Sequence, residues 1–422
     1  MFTKTVLNNG LRIITVPQKN TQALTILVLA GTGSKYEKKE INGISHFLEH
    51  LFFKGTKKRP SQLAISETLD RVGGIYNAFT GEEYTGYFVK VETKHFDLAL
   101  DVISDIFLNS KFGEENIEKE KGVIIEEINM YYDHPSSYVQ NLWNKVLYGD
   151  QPAGWDIAGK KDTVSKISRQ DLIKYMSNQY VASNTVICVA GKISDDKRLI
   201  EKIKKYFSGI KNKKPIGKVK VAEKQTKPEC LLQERETDQA HFCLGVRGYN
   251  LFHPQKYTFD ILGDILGGMM SSRLFIKIRE KLGVAYYITT NVAAFTDTGY
   301  LVTQAGVDNK KIEEAILAIL EEYKKISEEK VPEKELKKVK DHLKGKMALL
   351  LETSDAQASF HGIQEILENK ILTPKEICDK IDKVKALDIL EVAKDIFKPK
   401  NLNLALIGPF GDKNKFQKIL KL

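Results

Sequence analysis

Cysteine is scarce in this 422-residue chain: the four present, Cys188, Cys230, Cys243 and Cys378, lie far apart and form no C-x-x-C pair. That spacing argues against a disulfide framework and a thiolate zinc site; it suits buried thiols in a reducing compartment, so a cytoplasmic location is expected. Long apolar runs are missing too. The longest stretches, such as Ala23–Ala30 and Thr185–Ala190, fall far short of the ~20 residues a membrane helix needs, and no membrane partner is expected. The opening MFTKTVLNNGLRIITV enters a strand–turn–strand pattern without the basic stretch, apolar run and cleavage site of a secretory signal. There is no G-K-[ST] and no G-x-G-x-x-G after a strand, which excludes the usual phosphate loops. No Ser/His/Asp or Cys/His constellation stands out.

What is present reads as an ordinary globular chain, with 42% hydrophobic and 28% charged residues and enough length for two or more domains. The net charge of +10 comes mostly from lysine, and the densest block, Lys211–Lys227, sets seven lysines against the single Glu223. With Pro215, Gly217 and Pro228 near it, this stretch reads as a solvated connector. No nucleic-acid-binding motif accompanies the charge, so no nucleic-acid partner is expected.

The connector cuts the chain almost in half, and the halves repeat one order of elements. Ala23–Gly33 reads as a strand, followed by helices from about Gly43 to Phe53 and from Ser61 to Val72. GGIYNAFT and TGYFVKV form a hairpin, and HFDLALDVISDIFLNS an amphipathic helix. In the second half AHFCLGVRGYN, YTFDILGDILGG, SRLFIKIREKLG, AYYITTNVAAF with TGYLVTQAGV, and KIEEAILAILEEYKKI follow the same plan. Apolar strands NTVICVAG and NLNLALIG close the two halves. The expected fold class is therefore α+β: two homologous domains in tandem, each an antiparallel-rich sheet covered by helices on one face. The expected boundaries are 1–208, a Lys-rich linker 209–228, and 229–422.

The sharpest motif is His46-Phe47-Leu48-Glu49-His50. On a helix, His50 lies about 40° from His46 and Glu49 about 60° to the other side, so all three side chains leave one face. Two imidazoles at i,i+4 can grip one zinc ion, and a carboxylate beside them can act on a bound water. The glutamate precedes the second histidine, which is the inverzincin order.

A third protein ligand is sought in EENIEKEKGVIIEEINMYYDHP. Helical phase puts Glu127 on a face with Glu120, Val123, Ile124 and Tyr131, whereas Glu126 swings about 100° away toward Lys119, Gly122 and Asp133. An acid centred on an apolar stripe must be paired or coordinated. Glu127 is thus the better ligand, and Glu120, seven residues earlier, is placed to support a ligand from behind.

These residues resemble the pitrilysin, insulin-degrading-enzyme and mitochondrial-processing-peptidase family of zinc metallopeptidases, over essentially the whole chain and in the manner of a short bacterial-type member. GISHFLEHLFFKGT is similar to the family's active-site helix. The 76 residues between His50 and Glu127 match the family's spacing to its third ligand, in a context, EKGVIIEEI, resembling E-R-x-V-x-x-E-E with Lys121 for the usual arginine. The resemblance implies His46, His50 and Glu127 as zinc ligands and Glu49 as general base. It further implies two α/β-roll domains forming half of a clamshell, with a second domain that has lost its metal site. There, Arg279 and Tyr286, in REKLGVAY, resemble a pair that helps hold the peptide near the zinc. With both motifs in one chain, a homodimer enclosing a chamber is the simplest implied assembly.

The implied reaction is hydrolysis of peptide bonds in unfolded peptides or oligopeptides. Glu49 handles the proton, and the metal, Tyr286 and Arg279 stabilise the developing oxyanion. The strand Gly74–Thr80, with Asn77 and Ala78, resembles the edge strand with which substrate pairs. Two alternatives stand beside this reading. One is a processing peptidase for basic leader segments, for which Glu114, Glu115, Glu118 and Glu120 hint at an acidic chamber. The other is a non-catalytic peptide-binding or scaffold subunit of the same fold.

Overall fold

Alternation in strand Ala23–Ala30 divides its apolar residues between two faces, and both faces are covered. In the computed structural model, which describes residues 2–422, two compact units form: Met1–Ile128 with Asp156–Val219 and Ala348–Ile371, and Asn129–Trp155 with Lys220–Met347 and Leu372–Leu422.

The first unit holds strands β1 (Thr3–Val6), β2 (Arg12–Pro17), β3 (Ala23–Ala30), β4 (Ile75–Thr80), β5 (Thr85–Glu92) and β6 (Thr185–Gly191). They form one sheet in the order β1-β2-β6-β3-β5-β4, antiparallel except for the β2–β6 pair. Ile26, Val28 and Ala30 of β3 face helices α1 (Ile44–Phe52), α2 (Gln62–Asp70) and α3 (Phe96–Asn109), where Phe47, Leu48, Ile65 and Ile103 complete a core. Leu27 and Leu29 face the other way and meet Ala358, Ile363 and Ile366 of the helix Ser354–Glu368. That helix approaches closely: a Cβ on Gly362 would lie 2.8 Å from Leu29 Cδ1.

The second unit repeats this plan. Its strands β7 (Glu229–Glu234), β8 (Gln239–Arg247), β9 (Ala285–Ala294), β10 (Gly299–Asp308) and β11 (Leu402–Gly408) are ordered β7-β11-β8-β10-β9. This matches β2-β6-β3-β5-β4 strand for strand, down to one parallel pair, β7 with β11. Helices including Lys256–Gly267, Ile312–Glu328 and Ala386–Ile396 build the core on one face. The helix Pro135–Tyr148 covers the other, with Trp143 and Leu147 against Cys243, Val302, Ala405 and Ile407. The duplication and the α/β architecture expected from sequence are both present.

Three expectations are corrected. The contiguous boundaries 1–208 and 229–422 do not describe the units, because residues 129–155 belong with the second sheet and 348–371 with the first. For the same reason each sheet is covered on both faces rather than one. The apolar stripe of each exchanged helix needs a sheet to bury against, and it finds one outside its own half of the chain. The Lys-rich stretch is irregular and mostly exposed, but Lys218 is largely buried and paired with Glu83, so the connector is not solvated throughout. The four cysteines are free, and Cys188, Cys230 and Cys243 are buried. Among the described residues no helix is long and apolar enough to cross a membrane.

Candidate metal centre

Helix α1 buries Ile44, Phe47, Leu48, Leu51 and Phe52 completely or nearly so. Each large side chain among them contributes roughly 1.5–3 kcal/mol, which anchors the helix with its polar face outward. That face carries His46, Glu49 and His50. The long helix α4 (Glu114–Asp133) brings Glu127 opposite. The Glu127 carboxylate oxygen Oε2 lies 3.6 Å from His46 Nε2 and 3.4 Å from His50 Nε2. One donor atom from each of the three side chains falls within 4.8 Å of the others, and this is the single such group found among the described residues.

The backs of the two imidazoles differ. His50 Nδ1 lies 3.1 Å from Glu120 Oε2, and Lys54 Nζ closes the chain at 2.7 Å from Glu120 Oε1. With Nδ1 turned to Glu120, Nε2 is the nitrogen that faces Glu127 and is left for a metal to take in place of its proton. His46 Nδ1 is buried and has no hydrogen-bond partner. The rings stand edge to face, with centroids 4.6 Å apart.

The charges of these groups act on one another. Burial, then the neighbouring His50, pull His46 down to about 4, with Glu127 opposing. Burial also acts against His50, but the hydrogen bonds to Glu120 and Glu127 and the nearby carboxylates outweigh it and hold His50 at about 9. Glu127 is lowered, first by its hydrogen bond to His50. Burial raises Glu49, partly offset by a 2.5 Å hydrogen bond donated by Thr80 and by the His50 charge.

These donors fit a zinc ion. Two imidazole nitrogens, that of His50 once the metal displaces its proton, and one carboxylate are a set of three that suits zinc and leaves a fourth position open, and the support of His50 by Glu120 is the usual outer partner of a metal-bound histidine. Glu126 is exposed, as its helical phase predicts. The surroundings of Glu127, however, differ from the apolar stripe its helical phase predicts. Ile124 is buried, but Val123 and Tyr131 on that face are 49% and 45% exposed, so no continuous apolar stripe surrounds Glu127. The acids near the start of α4 pair locally, Glu115 with Lys119 and Glu118 with Lys121, and Glu120 is turned to His50.

The remaining expected residues are placed as follows. Asn77 and Ala78 lie on β4, which is the edge of its sheet and bonds only β5. The Asn77 side chain accepts from the Ala78 N–H at 2.9 Å. In the second unit, Arg279 sits in a π-helical turn, Phe275–Lys281, with its guanidinium over the Phe275 ring at 5.0 Å. The helix expected over SRLFIKIREKLG thus widens where Arg279 stands. Tyr286, at the start of β9, is 74% exposed. Sequence reasoning missed Thr80 and Lys54. Each acts through a tertiary contact that no spacing announces, although Lys54 lies one turn beyond His50.

Residues 12–161 match the family described as insulinase, peptidase family M16, and residues 166–343 match the M16 inactive domain. The uncharacterized zinc protease YmxG of Bacillus subtilis is 37% identical over 98% of this chain and 99% of its own length. The chain belongs to the M16 peptidase family. A second relative, an uncharacterized zinc protease of Rickettsia felis, is 32% identical over 97% of the chain and 98% of its own length. Among solved structures, a protease from Helicobacter pylori shares the fold with a TM-score of 0.89 at 24% identity, covering 97% of this chain and 99% of that one. The second family match agrees with a second unit whose helix Lys256–Gly267 carries no histidine or glutamate.

Proposed function

We propose that this M16 chain is a zinc-dependent endopeptidase acting on unfolded peptides or oligopeptides. The observation that carries the reading is the convergence of Glu127, from α4, on His46 and His50, which share one face of α1 with Glu49. His46 Nε2, His50 Nε2 and the Glu127 carboxylate would hold the ion. When bound, zinc supplies a Lewis acid for the scissile carbonyl and lowers the pKa of a water in its open position.

The chain's own residues do the rest. Glu49 keeps Oε2 on the Thr80 hydroxyl, leaving Oε1 to take a proton from the attacking water and return it to the leaving amine. Its pKa, raised by burial, makes it a stronger proton acceptor than a solvated carboxylate. The open edge of β4 suits an extended peptide, because main-chain pairing there is nearly blind to sequence. Thr80, the last residue of that strand, joins the edge to the base. Arg279 and Tyr286 are assigned to holding substrate and to aiding oxyanion stabilisation, within a homodimer that encloses its substrate.

A complete donor set speaks for turnover over a scaffold role. The local lysine pairing of Glu115 and Glu118 gives no support to a dedicated acidic chamber for basic leaders. The test is cleavage of a mixed pool of unstructured 10–30-residue peptides by wild type beside Glu49→Gln, read by mass spectrometry. The variant is expected to keep zinc and lose turnover. A zinc-loaded, folded wild type inert on every peptide would refute the peptidase reading.

A further inference from the structure

Helix α1 starts without the usual cap. Its N-cap is Gly43, in the left-handed region at φ +98°, with no side chain to receive the first-turn N–H groups. A larger residue is excluded there, since a Cβ on Gly43 would lie 2.6 Å from the Ala158 carbonyl oxygen. The missing acceptor comes from Glu37, outside the helix. Its Oε1 accepts from the Ser45 N–H at 2.9 Å, and its Oε2 accepts from the Gly43 N–H at 2.8 Å and from Asn42 Nδ2 at 2.9 Å. Glu37 is 4% exposed. A buried carboxylate is expensive, and three donors from one short segment offset part of that cost, burial still leaving its pKa raised.

The network continues outward from Ser45. Its hydroxyl lies 2.8 Å from the Tyr175 hydroxyl, which lies 2.8 Å from Thr32 Oγ1. Ser45 is therefore held at main chain and side chain together, and the next residue is His46. His50 has Glu120 to fix its ring, whereas the His46 ring has no partner behind it. The position of His46 must accordingly come from the backbone of the first turn.

We propose that Glu37 is the positioning residue for His46, holding the first turn of α1 so that Nε2 faces Glu127. Glu120 does for His50 through the ring what Glu37 does for His46 through the main chain. The inference rests on the reading of His46, His50 and Glu127 as metal ligands. Glu37→Gln keeps the shape but turns one acceptor into a donor facing an N–H or the Asn42 amide.

The experiment compares cobalt(II) binding by wild type and Glu37→Gln, reading the visible d–d absorption band and the affinity by chelator competition. Circular dichroism confirms that the variant is folded. Glu37→Gln is expected to bind at least about tenfold more weakly, with a shifted or weakened band. If Glu37→Gln cannot be purified, Tyr175→Phe, which removes the outer link to Ser45, is expected to weaken binding in the same direction by a smaller factor. A folded variant with wild-type affinity and wild-type spectrum would overturn the positioning role while leaving the metal site in place. Failure of wild type itself to bind cobalt would overturn the metal-site reading and this inference with it.

Discussion

The Thr80 hydroxyl donates to Glu49 Oε2 at 2.5 Å, tying the last residue of the edge strand β4 to the carboxylate beside the histidine pair. The bond favours the ionised form of Glu49 against the upward pull of burial. A base must be ionised to accept a proton, so losing this bond raises the pH at which activity appears.

Thr80→Val keeps the side-chain shape and removes the donor. A hydrogen bond to a charged group is worth roughly 1.5–3 kcal/mol, so kcat/KM on a peptide is expected to fall about 10- to 100-fold near neutrality. The acid limb of its pH profile is expected to move to higher pH. A pH–rate profile of the two proteins checks both effects, and an unmoved limb would separate Thr80 from the base.

Glu120→Ala removes the group that orients His50 and leaves Lys54 without its carboxylate partner. Outer partners of metal-binding histidines typically contribute 10- to 100-fold in affinity. Zinc competition with a chelator is expected to show a loss in that range. An unchanged affinity would make Glu120 a bystander.

Asp260, on the helix Lys256–Gly267, tests pH dependence away from the metal centre. Burial pushes it up to about 7, with partial relief from Lys256. The sign follows from linkage: the folded state prefers the protonated acid, so stability from this group is greatest at low pH and declines as pH rises through about 7. Asp260→Asn is expected to be close to wild type in stability near pH 4 and more stable by up to a few kcal/mol at pH 8. Urea denaturation at the two pH values measures the difference. A constant offset at both would rule out the titration.

Much of this was legible in the sequence, for identifiable reasons. The repeated strand–helix–hairpin order survives because period-2 and period-3.6 patterns reflect local burial, as in β3 and α1. The triplet His46, Glu49 and His50 was legible because helical spacing alone puts the three on one face. The exchange of helices was not. PSSYVQNLWNKVLY carries the same apolar stripe whichever sheet it covers, and Trp143 gives no sign that its neighbours are Cys243 and Val302. Glu127 was reached by phase and by family spacing, yet the apolar surroundings inferred for it do not exist at Val123 and Tyr131. Thr80 and Glu37 act across gaps of 31 and 6–8 residues through bonds set only by the folded backbone.

The most direct measurement is anomalous diffraction at the zinc edge from crystals of the zinc-loaded protein. The account predicts one peak per chain within about 2.0–2.2 Å of His46 Nε2, His50 Nε2 and a Glu127 carboxylate oxygen. A zinc-loaded crystal with its peak elsewhere, or bound by the histidines without Glu127, would contradict it.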